Sequence, residues 1–157
     1  MIFSVICTLN FLTMARVAAL FLERHQFGIL RICIGILFLW FGALKFFPGV
    51  SPAEGLATET VDILTFRLFS TSFLYTSLAV LEFALGLLLV FGREFKVTFW
   101  LLIFHMICTI MPLFVLREVT FVNFPYQLTI EGQYIVKNIV IISAAIVLLF
   151  NHKQSKA

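Results

Sequence analysis

Charge is what this sequence has least of. Asp, Glu, Lys and Arg together make up 12% of its 157 residues, about half of the roughly 25% that a soluble domain carries. So few charges cannot coat a globule with water-facing side chains, which excludes a soluble enzyme and a solvated disordered tail. The net charge of +3 comes mainly from the ends and turns, so no basic face is left for nucleic acid. Cysteine is scarce as well. Cys7, Cys33 and Cys108 are an odd number without a C-x-x-C spacing, which excludes a disulfide framework and a self-contained redox pair. They read as small apolar packing residues. His25, His105 and His152 lie too far apart for a local metal motif. The chain also lacks a glycine-rich phosphate loop, H-E-x-x-H, G-x-S-x-G and a dinucleotide fingerprint, and no internal repeat or low-complexity segment is evident.

What is present is apolar surface. Hydrophobic residues account for 62% of the chain, twenty of them phenylalanine, and the mean hydropathy is +1.09. The length suits one domain, and the composition is that of an integral membrane protein. About 20 mostly apolar residues span a bilayer as a helix. Four stretches qualify: Phe27–Phe47, Ser72–Phe91, Phe95–Leu116 and Gln133–Phe150. Pro48-Gly49 stops the first, and Gly92-Arg93-Glu94 is short enough to force an antiparallel hairpin between the second and third. The fold expected is all-α, a four-helix membrane bundle over residues 27–150, followed by a polar tail over residues 151–157.

Residues 1–26 form an N-terminal segment of different character. No basic region precedes the apolar run, which argues against a cleaved signal peptide. Met1–Leu22 is long enough for a fifth span, yet Arg16 near the bilayer centre would cost about 2.5–3.5 kcal/mol. Arg16, Glu23, Arg24 and His25 suit a helix lying in the interface better. For the four-span arrangement one side collects Arg16, Arg24, Arg31, Arg93, Lys96, Lys153 and Lys156, and the other Lys45, Arg67, Arg117 and Lys137. The positive-inside rule then places both termini in the cytoplasm.

Two connections on the outer side are longer than a hairpin requires. Ser51-Pro52-Ala53-Glu54 reads as a helix start, with serine as N-cap, proline at N1 and glutamate at N3. Leu56, Val61, Leu64 and Leu68 then share a stripe away from Glu59 and Asp62, so residues 51–69 are expected to form a short surface helix. Residues 117–131 show no helical period and read as an extended loop at lipid level.

Ionisable residues at membrane depth carry the functional signal, because a charge in hydrocarbon is retained only with compensation. Arg31, one turn into the first span, can snorkel to the headgroups. Arg31, Gly35, Phe38, Gly42, Lys45 and Gly49 recur at alternating spacings of four and three, and such glycines admit a close neighbouring helix; Lys45 is therefore expected to face protein. Glu82 lies nine residues before Phe91, and His105 nine after Lys96. Both then sit about 14 Å from the turn joining their helices, and a Glu82–His105 hydrogen bond or shared polar cavity follows. Spacing fixes their depth and not their azimuth, so a lipid-facing His105 stays open. Lys137 opposes the dipole at the start of the fourth span and either finds an anionic partner or snorkels outward. Tyr134 and Asn138 beside it can supply hydrogen bonds to a carbonyl or quinone oxygen. Taken together, these residues predict an outward-opening polar pocket lined by Lys45, Lys137, Glu82 and one of Glu54 or His105, suited to an anion or a quinone headgroup.

The run Leu30-Arg31-Ile32, then Phe38-Leu39-Trp40-Phe41-Gly42-Ala43-Leu44-Lys45-Phe46-Phe47-Pro48-Gly49, resembles the first span of the DoxX-like family of small bacterial membrane proteins. Ser51-Pro52-Ala53-Glu54, Leu81-Glu82-Phe83 and Glu131-Gly132-Gln133-Tyr134-Ile135-Val136-Lys137-Asn138 fit the same family, and the resemblance covers about residues 27–150. It implies a four-helix protein of the bacterial inner membrane in a redox or quinone context. One branch is associated with the membrane subunit of a thiosulfate:quinone oxidoreductase, others with oxidative or reactive-chlorine stress. The missing cysteine pair argues against a thiol oxidoreductase acting alone. Three functions follow as expectations: a redox-linked component that holds a quinone, a non-catalytic anchor or partner subunit of another membrane enzyme, and a proton-coupled exporter of small molecules. The visible lack of an inverted repeat argues against the last.

Overall fold

The computed structural model describes residues 2–92 and 95–154. Its elements in chain order are α1 (Ile2–Leu44), α2 (Glu54–Leu64), α3 (Thr71–Phe91), α4 (Phe95–Ile110), α5 (Pro112–Val115), α6 (Arg117–Thr120), β1 (Phe121–Asn123), β2 (Gln127–Leu128) and α7 (Ile130–Gln154). Four helical segments among the described residues are long and apolar enough to cross a membrane: Met14–Leu44, Thr71–Phe91, Lys96–Val115 and Ile130–Asn151. The fold is an all-α, four-helix, multi-pass membrane bundle flanked by short helices.

The first helix has no break between Gln26 and Phe27. Residues 14–26, expected on the interface, continue the first spanning helix and are exposed throughout. Nothing there stops a helix, since the first glycine is Gly28 and no proline occurs before Pro48. A helix of 43 residues is roughly 64 Å long, about twice the hydrocarbon thickness, so its N-terminal part projects past the bundle. At its other end α1 stops at Leu44, three residues before Phe47. The chain then turns through Pro48 and Gly49, whose φ is +76°.

The bundle is organised by the pairing of α1 with α3, the most extensive helix contact, with α4 packed on α7 and the remaining sides closed by α3 on α4 and α1 on α7. Glycines permit the α1–α3 approach, as the sequence spacing implied. A Cβ on Gly42 would come within 2.7 Å of the Phe83 backbone nitrogen, and one on Gly86 within 2.6 Å of the Leu39 nitrogen. Gly49 has no such neighbour. Arg31, expected to snorkel, is half-buried, with its guanidinium against Gly92, the left-handed C-cap of α3. A cation there complements the helix C-terminal dipole. The apolar core of Ile34, Phe38, Leu85, Leu89, Phe99, Leu102, Met106, Ala145 and Leu148 draws on all four spans.

The two long connections correct the sequence reading in detail. In the first, α2 begins at Glu54, with Ala53 as N-cap and no side-chain capping bond, so Ser51 does not cap it. Thr60 is the residue α2 buries, whereas Leu64 and Leu68 are exposed. The helix ends at Leu64 because the chain reverses through Phe66 and Arg67, both at positive φ, and residues 65–69 lie beyond it. In the second, residues 117–131 are not an extended loop. One turn of helix leads into a small antiparallel hairpin in which Phe121 pairs with Leu128, and the Phe124–Pro125 peptide is cis. Thr129 closes it, donating its hydroxyl to the Val119 carbonyl at 2.7 Å and its amide to the Thr120 carbonyl at 3.0 Å. The same hydroxyl accepts the Gly132 N–H at 3.2 Å and so caps α7, which starts three residues before the expected Gln133. The hairpin thus gives the backbone groups of this connection partners within the chain.

Candidate functional site

Three segments of the chain bring three ionisable side chains into one line near the middle of the bundle. Lys45 follows the last turn of α1, Glu82 lies midway along α3 and His105 lies in the second half of α4. Lys45 Nζ donates to Glu82 Oε2 at 2.5 Å, and His105 Nε2 lies 3.3 Å from Glu82 Oε1. Their side chains are 8%, 9% and 3% exposed respectively. Each carboxylate oxygen thus faces one nitrogen. His105 is held further by the edge of Phe38, with ring centroids 5.6 Å apart. The matched depth expected from the α3–α4 turn is realised as this contact, and Lys45 faces protein as its glycine seam required.

The surroundings of the cluster differ on its two sides. Toward the α3–α4 turn the space beneath it is filled by Ile34, Leu85, Leu89, Phe99, Leu102 and Leu148. In the other direction Lys45 forms part of the wall of an open cleft of about 320 Å³, shared with Phe46, Pro48, Glu54, Thr58, Thr71, Ser72, Tyr75 and Thr76. This volume is at the lower end of the roughly 300–1,000 Å³ of small-molecule sites. Glu54 stands at the start of α2, where a carboxylate suits the helix dipole, and it accepts the Gly49 N–H at 2.7 Å. Most hydroxyls around the cleft are committed: Thr58 donates to the Glu54 carbonyl, Thr76 to the Ser72 carbonyl and Thr71 to the Asp62 carboxylate. The surface helix α2 borders this cleft through Glu54 and Thr58.

No family model, curated protein or solved structure matches this chain. The reading of the site accordingly rests on its geometry. Of the residues singled out from the sequence, Lys45, Glu82 and His105 are in one line of contacts and Glu54 shares the cleft with Lys45. Lys137 is not brought to them. It is exposed, with its ammonium 5.0 Å from the centroid of the Tyr134 ring, so it takes the outward course and an aromatic partner. Tyr134 is 64% exposed. Asn138 donates to the Thr109 hydroxyl at 3.3 Å, a link between α7 and α4. The expected meeting of two lysines across one carboxylate does not occur. Helical spacing placed Lys45 and Lys137 at similar depth and could not fix their azimuths.

The loss of Lys137 from the site changes what the cleft can hold. Lys45 is already neutralised by Glu82, and Glu54 adds a negative charge at the rim. An anion would enter a cleft with no spare positive charge from these residues, which is unfavourable in low dielectric. A neutral molecule with hydrogen-bonding oxygens suits it. The sequence reading also missed Tyr75, which is buried in the wall of the cleft. A signal for it existed: Tyr75 precedes Glu82 by seven residues, two helical turns on the same face, with Ala79 between them in the buried stripe of α3.

Proposed function

We propose that this chain is a redox-linked membrane component that receives a quinone-type headgroup in the cleft beside Lys45, with the Lys45–Glu82–His105 cluster holding and exchanging protons for it. The observation that carries the reading is the buried carboxylate between a lysine and a histidine, opening through the lysine to a cleft and closed by apolar side chains behind. Quinone chemistry moves protons with electrons, and acid–base groups within hydrogen-bond reach of the ring oxygens are what it needs from a protein. In this reading the electrons come from a partner subunit, and with both termini cytoplasmic the cleft faces outward. The resemblance of the Lys45 and Glu82 segments to DoxX-like proteins supports the same context. The apolar plug behind the cluster weighs against a proton-coupled exporter, which needs access from both sides.

Protein purified in mild detergent, with its bound lipids extracted and identified, tests the proposal. A quinone retained by the native chain and lost in Glu82→Gln is the expected result. Protein that carries no quinone and does not take up a tail-less benzoquinone added to it would overturn the reading, and a stoichiometric partner with no quinone would favour the anchor role instead.

A further inference from the structure

Tyr75 is nine-tenths buried in the wall of the cleft, and its hydroxyl has no hydrogen-bond partner. Ser51 lies beside it without completing a bond of good geometry. Buried hydroxyls are nearly always partnered, so an unused one calls for an explanation. The surroundings supply one. The threonine hydroxyls near it are spent on carbonyls and on Asp62, and one Glu54 oxygen already accepts the Gly49 N–H. Lys45 directs one N–H to Glu82 and has further donors. The Tyr75 hydroxyl and the remaining Lys45 N–H groups are therefore donors at the cleft, and its fixed charges favour no anion.

We infer that the Tyr75 hydroxyl is the recognition donor of the cleft, waiting for a carbonyl-type acceptor oxygen on a neutral ligand. This rests on the cleft being the ligand site proposed above and deepens it by naming the group that reads the ligand. Such an oxygen takes the place of Ser51 as the neighbour of Tyr75, with the ring of the ligand against Phe46 and Pro48. A molecule of the same shape without carbonyl oxygens leaves the hydroxyl unpaired and gains nothing from it. Tyr75 is a binding residue here and exchanges no proton with the ligand.

The test compares the native chain with Tyr75→Phe, using a tail-less dimethoxy-methyl-benzoquinone as probe and the methoxy-substituted toluene of similar shape as its carbonyl-free counterpart. Tyr126→Phe, at an exposed position on the hairpin, serves as control. The expected result is that Tyr75→Phe binds the benzoquinone about three- to tenfold more weakly. Its ligand-free melting temperature should be unchanged or raised, because the hydroxyl it loses had no partner. The carbonyl-free probe should bind both proteins equally and weakly, and Tyr126→Phe should match the native chain. Equal benzoquinone affinity in Tyr75→Phe overturns the inference and leaves the proposed function standing. A lowered ligand-free melting temperature overturns it too, since the hydroxyl would then be satisfied within the protein. Failure of the native chain to bind the benzoquinone overturns both.

Discussion

Removing Glu82 would leave the Lys45 ammonium buried without its counter-charge and His105 without its acceptor, and breaking a buried pair in this way costs about 3–5 kcal/mol. Glu59 is exposed on α2, and such surface changes stay within about 0.5 kcal/mol. Glu82→Ala is therefore expected to lower the melting temperature in detergent far more than Glu59→Ala. The double change Lys45→Met, Glu82→Leu should recover much of the loss, because apolar replacement of both partners removes the unpaired charge. Lys137→Ala, which relieves no repulsion in this arrangement, should give no rescue of Glu82→Ala; thermal unfolding of the four variants decides it. At this scale the sequence revealed depth better than direction. The α3–α4 turn counts residues equally along both helices, so Glu82 and His105 were legible as a pair. Lys137 and Tyr75 depended on azimuth, which in Tyr75 was recoverable from its two-turn spacing to Glu82 and in Lys137 was not.

The element that positions the cluster is the α1–α3 pair. Gly42 lies three residues before Lys45, and its missing Cβ lets α1 meet the backbone at Glu82 and Phe83. A methyl group there forces the helices apart and draws Lys45 from Glu82. Gly55 in α2 has open space around it, and alanine there removes unfolded-state freedom, a gain of about 0.4–1 kcal/mol. Gly42→Ala is thus expected to destabilise and Gly55→Ala to stabilise the protein; opposite shifts of the melting temperature are the check, and equal shifts would contradict the close-packed seam. Spans were legible in the sequence because hydropathy and Pro or Gly stops act locally. The connections were less so. The capping pattern at Ser51 lost to the turn through Pro48 and Gly49, and the segment after Arg117 showed no period because one helical turn and a hairpin share it. Its closure depends on Thr129, whose bonds reach residues ten positions back in the chain.

At the scale of the whole molecule, a bundle with one polar end and one apolar end is asymmetric across the membrane. Polar groups from α2 and α3 join Lys45 at the cleft, with Glu82 and His105 behind it, while the opposite half is packed with leucine, isoleucine and phenylalanine. Composition made the membrane class plain, since so few charges leave no other solvent for this surface. The functional end emerges only once these elements are assembled, because Lys45, Glu82 and His105 come from three different segments and each alone reads as a satisfied or snorkelling residue. The account stands on the claim that Lys45, Glu82 and His105 act as one unit toward a neutral ligand in the cleft, with Lys137 outside it. Equilibrium binding of a tail-less benzoquinone to the native chain and to Lys45→Met, Glu82→Gln, His105→Gln and Lys137→Ala measures this directly. The account predicts weakening of about tenfold, equivalent to about 1.4 kcal/mol, in Lys45→Met and Glu82→Gln, a smaller loss in His105→Gln and native affinity in Lys137→Ala. Native affinity in the first two, or a loss in Lys137→Ala as large as theirs, would contradict it.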